Sequence, residues 1–222
     1  MKSENTQNLS EQVYAYLLDM ILSMEVKPGD KIPESKISKL FGISRTPIRD
    51  AMRQLANDGI LNIYPNRFAE VAQWSEERIQ QVGVTRVQMD NLAAKLAILN
   101  GSNADFNRMN AYSESCLRAA DEGNVAQRIK DDCAFHLELS VISKNEQLLE
   151  FQRKLYLRIE FLQSWRNDFL ENPQEQYRQH CEVIEALINR NEKQAIKIMT
   201  LHNIHFHNLE KQFPLEFFMN YQ

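Results

Sequence analysis

The sequence predicts a mainly α-helical protein in which a small N-terminal winged helix-turn-helix domain precedes an antiparallel bundle of six helices. The 222 residues are rich in helix-favouring types and include only six glycines and six prolines. Apolar residues recur at helical spacing along most of the chain, and polar stretches containing asparagine interrupt its second part at regular intervals. We expect the two domains to span residues 1–73 and 74–222.

Composition excludes several classes of protein. Hydrophobic residues make up 43% of the chain, which is enough to bury a core. The three cysteines are odd in number and widely spread, which favours reduced thiols over a disulfide framework. The N-terminal residues lack an export signal, and no apolar run approaches the roughly 18 residues of a membrane span. We therefore expect a cytoplasmic protein that does not contact membranes.

The net charge of −4 is unevenly distributed along the chain. Basic and acidic residues balance over residues 1–73, so the negative excess lies in residues 74–222. Between Lys31 and Arg53, six basic residues stand against two acidic ones, a local charge of +4. A basic patch of this kind is typical of a nucleic-acid binding surface.

Three helices and two strands are expected in the first domain. A long helix ends before a Pro-Gly turn, and a short helix follows from about Pro33 to Phe41, with Ile37 and Leu40 facing inward. Gly42 supplies the conformational freedom that ends it. After the third helix, the alternating stretch "ILNIYPNRFAEVA" predicts two short strands around a turn at 65–66.

The third helix has one apolar and one basic face. Ser44 can cap it through its hydroxyl. Residues four apart lie on one side of a helix, so the sequence predicts an apolar stripe at Ile48, Met52 and Leu55 and an exposed basic edge at Arg45, Arg49 and Arg53.

A basic edge on an arbitrary helix usually makes exchangeable surface ion pairs. Here a short helix and a tight turn precede it, which is typical of a helix that enters the major groove of DNA. We expect Arg45 and Arg49 at base edges or nearby phosphates, with Arg53 on the same edge. Ser44 and Thr46 suit a phosphate oxygen.

The stretch "GISRTPIRDAMRQLANDGIL" resembles the DNA-binding domain of the GntR family of bacterial transcription regulators, over about residues 9 to 72. The family usually has an arginine where Ser35 stands, so the corresponding phosphate contact is expected at Lys36 or is lost. The resemblance implies a homodimer that binds a palindromic DNA operator.

The wing departs from the family pattern as well. Phe68 stands where the wing turn usually has a glycine. We expect Asn66 to take the left-handed conformation instead, and Arg67 to reach a minor groove or a phosphate.

Six helices are expected in the second domain. Ser75, followed by two glutamates, starts the first of them. Later helices are expected to begin at asparagine N-caps, with Pro173 just inside one of them; these caps are Asn124, Asn145, Asn172 and Asn191.

Four polar side chains are expected inside this bundle because they fall on apolar stripes of three helices. They are Asp132, His136, His180 and His202. A single buried histidine is usually a hydrogen-bonded core residue. Four such groups would each cost about 1–3 kcal/mol if unsatisfied, and one divalent metal satisfies them all. Imidazole and carboxylate suit Zn²⁺, with Ni²⁺ and Mn²⁺ as alternatives.

Two further histidines rank below these four. His205 lies at the edge of the apolar stripe and His207 lies away from it. We expect both to face solvent or to support the ligands from outside.

The segments "DCAFH", "QYRQHCEVIEAL" and "AIKIMTLH" resemble the ligand-sensing C-terminal domain of the FadR branch of the GntR family, in its VanR-like subgroup. The resemblance implies that the metal's open positions bind the carboxylate of a small organic acid. It also implies effector contacts at Arg86 and Asn145, and places Asp90 where the family usually has a glutamate.

Two alternatives remain open. Three histidines and an aspartate with open metal positions can activate water, as in a metal-dependent hydrolase, although no base or nucleophile signature accompanies them. A regulator that responds to metal alone needs no organic effector.

Overall fold

A computed structural model describes residues 2–65, 67–166 and 172–219, and only the backbone of residues 2–7. The chain forms two compact units, residues 1–74 and residues 75–222. The division lies one residue beyond the boundary expected from the sequence.

The first unit has the elements of a winged helix-turn-helix. In chain order they are α1 (Lys2–Leu22), α2 (Glu34–Phe41), α3 (Arg45–Asn57), β1 (Leu61–Tyr64) and β2 (Phe68–Val71). Helix α1 packs on α3. The two strands are antiparallel, with Leu61 opposite Val71 and Tyr64 opposite Phe68. This small core holds α3 with one face open to solvent.

Helix α2 differs from the expectation at one residue. Ile37 is buried and Gly42 is left-handed with φ +65°, as predicted. Leu40, however, is 64% exposed, so its inward placement is wrong. Phe41, four residues after Ile37, takes the inward position in the last turn. Its ring lies edge-on to the ring of Tyr16, with the two centroids 5.2 Å apart.

Helix α3 has its predicted faces. Ile48, Met52 and Leu55 are buried, and the three arginines are exposed. Ser44 stands at the N-cap position with an extended backbone, but its hydroxyl makes no capping hydrogen bond within the described first unit. The predicted capping bond is therefore wrong, which leaves this hydroxyl at the exposed start of α3.

The second unit contains the six expected long helices. They are α4 (Glu76–Asn100), α5 (Asn103–Asp121), α6 (Val125–Ile142), α7 (Glu146–Trp165), α8 (Pro173–Ile188) and α9 (Glu192–Phe206). A short helix that the sequence did not predict follows, α10 (Leu215–Phe218). Helix α4 packs against α9, α6 and α7, while α5 packs against α6 and α8. None of the helices in the described ranges is long and apolar enough to cross a membrane.

Side-chain caps start all six long helices. Ser75 accepts a hydrogen bond from the amide of Arg78, and Ser102 forms a capping box with Asp105. The four predicted asparagine caps are confirmed, since each accepts a backbone amide hydrogen bond in the first turn; they are Asn124, Asn145, Asn172 and Asn191. Each cap typically contributes about 1 kcal/mol.

Candidate functional site

Four polar side chains converge inside the second unit. Helix α6 supplies Asp132 and His136 one turn apart, α8 supplies His180, and α9 supplies His202. One nitrogen or oxygen of each lies within 4.8 Å of those of the others, and all four residues are buried. The structure thus brings together the four residues that the sequence singled out, and this metal-ligand cluster could hold an ion.

The ring nitrogens of His136 and His180 lack ordinary hydrogen bonds within the described ranges. Asp132 Oδ1 lies 3.5 Å from His180 Nε2 and 3.8 Å from His136 Nε2, beyond the roughly 2.7–3.2 Å of an N–H···O bond. Within the described ranges, no hydrogen-bond partner satisfies either ring nitrogen of His136 or His180. His202 differs, because its Nδ1 lies 2.7 Å from Gln179 Oε1. Buried, unsatisfied ring nitrogens around a carboxylate suit a cation.

Burial sets the protonation of these groups. It lowers the pKa of His136 and lowers that of His180 to about 4. Burial alone would raise the pKa of Asp132, but His180, His136 and Arg86 bring it well below its usual range. Neutral imidazole and ionised carboxylate are the forms that bind metal.

Two glutamines hold the Asp132 carboxylate. Gln176 Nε2 donates to Oδ1 at 2.7 Å and Gln163 Nε2 donates to Oδ2 at 2.8 Å. Arg128 Nη2 in turn donates to Gln176 Oε1 at 2.8 Å. Neither glutamine was predicted from the sequence, in which only the inward position of Gln176, one turn before His180, indicates such a role.

A second buried carboxylate, Asp90, lies at the centre of a polar network. Side chains from α4, α6, α7 and α9 surround it: Gln152 Nε2 at 2.7 Å, Tyr156 Oη at 2.7 and 2.8 Å, Asn203 Nδ2 at 2.9 Å, His136 Nδ1 at 3.4 Å and Arg86 Nε at 3.6 Å. Burial would raise the pKa of Asp90, but contact with His136 and Arg86 lowers it, so the carboxylate stays ionised. Asp90 therefore faces the Nδ1 side of the His136 ring, and Asp132 lies on its Nε2 side.

Arg86 is fully buried, with its Cζ 5.3 Å from the ring centroids of both Tyr156 and Phe206. Its Nε donates to Tyr156 Oη at 3.3 Å. The terminal nitrogens, Nη1 and Nη2, have no hydrogen-bond partner in the part of the chain that the structure describes. A buried guanidinium with two unpaired terminal nitrogens is suited to an anion.

The remaining candidates of the second unit lie elsewhere. His205 is exposed and its Nδ1 is 3.2 Å from Glu210 Oε1, as expected for a solvent-facing residue. His207 is buried against α4 at Gly83, which excludes the solvent-facing one of its two expected placements. Asn145 Oδ1 accepts the amide of Leu148 at 3.0 Å, which accounts for its side chain as a cap.

The basic face of the first unit is a second candidate site. Lys36, Ser44 and Thr46 are exposed around it. A groove of about 630 Å³ separates α3 from the wing, and its basic lining consists of Arg45, Arg49, Arg53 and Arg67. Arg49 lies 3.5 Å from Glu34 and Arg53 lies 2.8 Å from Asp50, so these two already have acidic neighbours.

The wing is built around aromatic rings. Phe68 packs on Tyr64 with centroids 4.8 Å apart, and Lys31 Nζ lies 4.2 Å from the Phe68 centroid. The left-handed conformation expected for Asn66 falls outside the described residues. Phe68 thus has a packing role at the base of the turn.

Family models match both units. Residues 9–71 match the model described as bacterial regulatory proteins, gntR family, and residues 81–205 match the FCD domain. The Nta operon transcriptional regulator of Aminobacter aminovorans is 26% identical over 190 residues, which cover 82% of this chain and 85% of that protein. The transcriptional repressor RspR of Escherichia coli is 23% identical over 89% of this chain and 86% of its own length.

Solved structures share the fold. A GntR regulator from Rhodococcus sp. RHA1 has a TM-score of 0.76 with 19% identity, covering 96% of this chain and 99% of that one. McbR/YncC of E. coli has a TM-score of 0.74 with 20% identity, and the match covers 92% of this chain and 99% of that one. The matching domains and relatives are transcription regulators, which excludes the hydrolase interpretation. The chain therefore belongs to the gntR family of bacterial regulatory proteins, as a ligand-responsive transcription regulator whose second unit is an FCD domain.

Proposed function

We propose that this regulator is a cytoplasmic homodimer that binds a palindromic DNA operator, and that a small organic acid controls the binding from a metal-containing site in the second unit. The proposed metal is zinc, with nickel or manganese as alternatives. The metal-ligand cluster carries the proposal.

Asp132, His136, His180 and His202 would hold the ion. Their burial, their mutual approach within 4.8 Å and the unsatisfied nitrogens of two of the rings support this assignment. When bound, the ion supplies positive charge and open coordination positions that attract a carboxylate.

Besides the metal ion, Arg86 is the proposed contact for the acid effector. It lies fully buried with two free donor nitrogens, and it approaches the same Asp90 oxygen as His136 does. An acid would therefore meet a guanidinium beside the cluster. The proposed contact at Asn145 has no comparable support and stays a prediction.

On the DNA side, the proposed contacts are the exposed polar residues around α3. Arg45 and Arg49 are assigned to base edges or nearby phosphates of the DNA. Arg53 lies on the same basic edge of α3 and is assigned to the DNA interface with them. Contacts with the phosphate backbone of the DNA are assigned to Lys36, Ser44 and Thr46. Arg67 is assigned to the minor groove or to a phosphate.

The proposed switch depends on differential affinity. An acid that binds one arrangement of the helices of the second unit more tightly shifts the population towards that arrangement. Since α4 begins only a few residues after β2, such a change can alter the spacing of the two recognition helices in a dimer.

The test uses protein purified without chelator. Elemental analysis measures the bound metal, and analytical ultracentrifugation measures the oligomeric state. An operator is selected from random-sequence DNA, and its affinity is measured with and without metal and with a panel of small acids. We expect one metal ion per chain, a dimer, and operator affinity that changes with an acid only in the metal-loaded protein. A response to metal with no response to any acid would favour the metal-only regulator.

A further inference from the structure

The chain passes from the first unit to the second between Trp74 and Ser75. Just after the end of β2, Ala72 N donates to Ile60 O at 2.8 Å. Trp74 is buried, and its indole Nε1 donates to Gly59 O at 3.1 Å. The first unit therefore holds the chain up to its last residue.

The acceptor of the indole hydrogen bond belongs to the turn that ends α3. Gly59 is left-handed with φ +84°, and its amide donates to Ala56 O at 3.0 Å in the last turn of the helix. Asp58, the C-cap residue, accepts a hydrogen bond from the hydroxyl of Tyr14 on α1 at 2.8 Å. A displacement of the indole therefore acts on a turn that is bonded to both α3 and α1.

The second unit holds the chain from its first residue. Ser75 Oγ accepts the amide of Arg78 at 3.3 Å, and Ser75 O accepts the amide of Ile79 at 3.0 Å, so Ser75 is fixed to the start of α4. A single peptide bond, between Trp74 and Ser75, separates the two attachments. Because a peptide bond is planar, only the dihedral angles on its two sides can change. Domain boundaries usually fall instead in exposed, flexible linkers.

Helix α4 extends from this junction into the interior of the second unit. It is 25 residues long. Asp90 lies about 22 Å from Ser75 along the helix axis. There the Asp90 carboxylate accepts hydrogen bonds from Gln152 of α7 at 2.7 Å and from Asn203 of α9 at 2.9 Å. A change in the angle of α4 within the bundle therefore reaches the junction, where no intervening residue can absorb it.

We propose that Trp74 is the joint through which the second unit acts on α3. A change in the angle of α4 moves the indole, and the indole moves the turn at Gly59 that ends α3. Trp74 is a positioning residue in this scheme, since it acts on DNA binding through α3. The proposal rests on the ligand-responsive function and names its route in this chain, whether the ligand is a metal or an acid.

The test measures hydrogen–deuterium exchange of the full-length protein, purified without chelator, both free and saturated with an operator selected from random-sequence DNA. Coupling between two sites is reciprocal, so an operator that favours one arrangement must also shift the second unit. In the unmodified protein, we expect operator binding to change the exchange rates of the α4 amides around Asp90 by at least about threefold. The amides of α3 report the DNA contact itself.

Two variants loosen the joint in different ways. Insertion of two glycines between Trp74 and Ser75 keeps both attachments and adds slack, and a longer loop costs little stability. The change at α4 is then expected to be lost while α3 stays protected by the operator. Trp74→Phe keeps a buried ring but removes the hydrogen bond to Gly59, and it should at least halve the change. Trp165→Phe is the matched control, because it makes the same substitution at the second of the two tryptophans, on α7, and it should keep the full change.

Each outcome supports or overturns the joint. A change at α4 that persists in the insertion variant, or that keeps its full size in Trp74→Phe, overturns it. No change at α4 in the unmodified protein also overturns it, because operator binding then does not reach the second unit. Loss of the change in Trp165→Phe would overturn the assignment to Trp74. The exchange rates do not depend on knowing the metal content or the acid affinity, so the proposed function stands or falls separately.

Discussion

Individual histidines in this protein are kept neutral by burial, and that makes them available to a metal. His180 is the clearest case, since its pKa falls to about 4 and neither ring nitrogen has a partner in the described structure. We predict that His180→Ala or His202→Ala releases the metal and lowers thermal stability, because three remaining ligands bind an ion more weakly than four.

Elemental analysis and thermal unfolding measure this effect. His205→Ala is the control, since His205 is an exposed imidazole on α9, the helix that carries His202, and lies outside the cluster. A His180→Ala protein that still carries one equivalent of metal would refute the ligand assignment.

Asp90 is the proposed positioning residue for His136, because its Oδ2 lies 3.4 Å from His136 Nδ1. We predict that Asp90→Asn weakens metal affinity about 10- to 100-fold, the usual effect of losing the partner of a metal-bound histidine. The substitution removes the negative charge beside Nδ1 and places an NH₂ group among the donors that surround the carboxylate. Competition with a chelator of known affinity measures the change. Asp121→Asn, at an exposed acid, should have no effect, and an unchanged affinity in Asp90→Asn would show that Asp90 does not act through His136.

The shared inward direction of Asp132 and His136 could be predicted from the sequence. Both lie on one helix, where residues four apart point to the same side. Of the two glutamines that hold Asp132, Gln163 could not be predicted, and Gln176 was indicated only by its inward position one turn before His180. Gln163 and Gln176 come from other helices, 31 and 44 residues further along the chain, and their partner is set by packing between helices.

At the scale of elements, helix α3 is the proposed DNA-contacting element. We predict that Arg45→Ala or Arg49→Ala weakens operator binding by about 1–3 kcal/mol and reduces its salt dependence. Affinity measured over a series of salt concentrations tests both effects. Lys154→Ala removes an exposed cation of the second unit and should change neither. Full affinity in both arginine variants would remove α3 from the interface.

Helix α7 offers a test of the role of Asn145. We predict that Asn145→Ala lowers the free energy of unfolding by about 0.5–2 kcal/mol through loss of the cap. Urea denaturation measures this loss, and Asn145→Asp should restore most of it because aspartate caps equally well. The affinity of both variants for the acid tests the effector role of Asn145. If Asn145 is only a cap, both variants should bind the acid as tightly as the unmodified protein does.

The starts of five of the six long helices of the second unit were predictable to the residue, at Ser75 and the four asparagine caps, because a cap is a local interaction between a side chain and the amides that follow it. The exposed position of Leu40 was not, because Leu40 and Phe41 could both complete a stripe with Ile37. The ring of Tyr16 on α1 decides between them, and it is a contact distant in sequence.

At the scale of the whole molecule, metal removal tests how far the cluster supports the second unit. We predict that chelation lowers the midpoint of thermal unfolding and that added Zn²⁺ restores it, since a ligand present at a hundred times its Kd stabilises the folded state by about 2.7 kcal/mol. Calorimetry with and without chelator measures the shift. Identical midpoints would mean that the four side chains are stable without an ion.

The caps at the six long helices of the second unit also constrain how this domain can move. Each cap joins the residue before a helix to an amide of that helix's first turn, so unwinding or extending the helix at this end by one residue would lose the cap. Tilting a whole helix breaks none of these hydrogen bonds. A rearrangement of the six helices is therefore expected to change the angles between them and to leave unchanged the residues at which they begin.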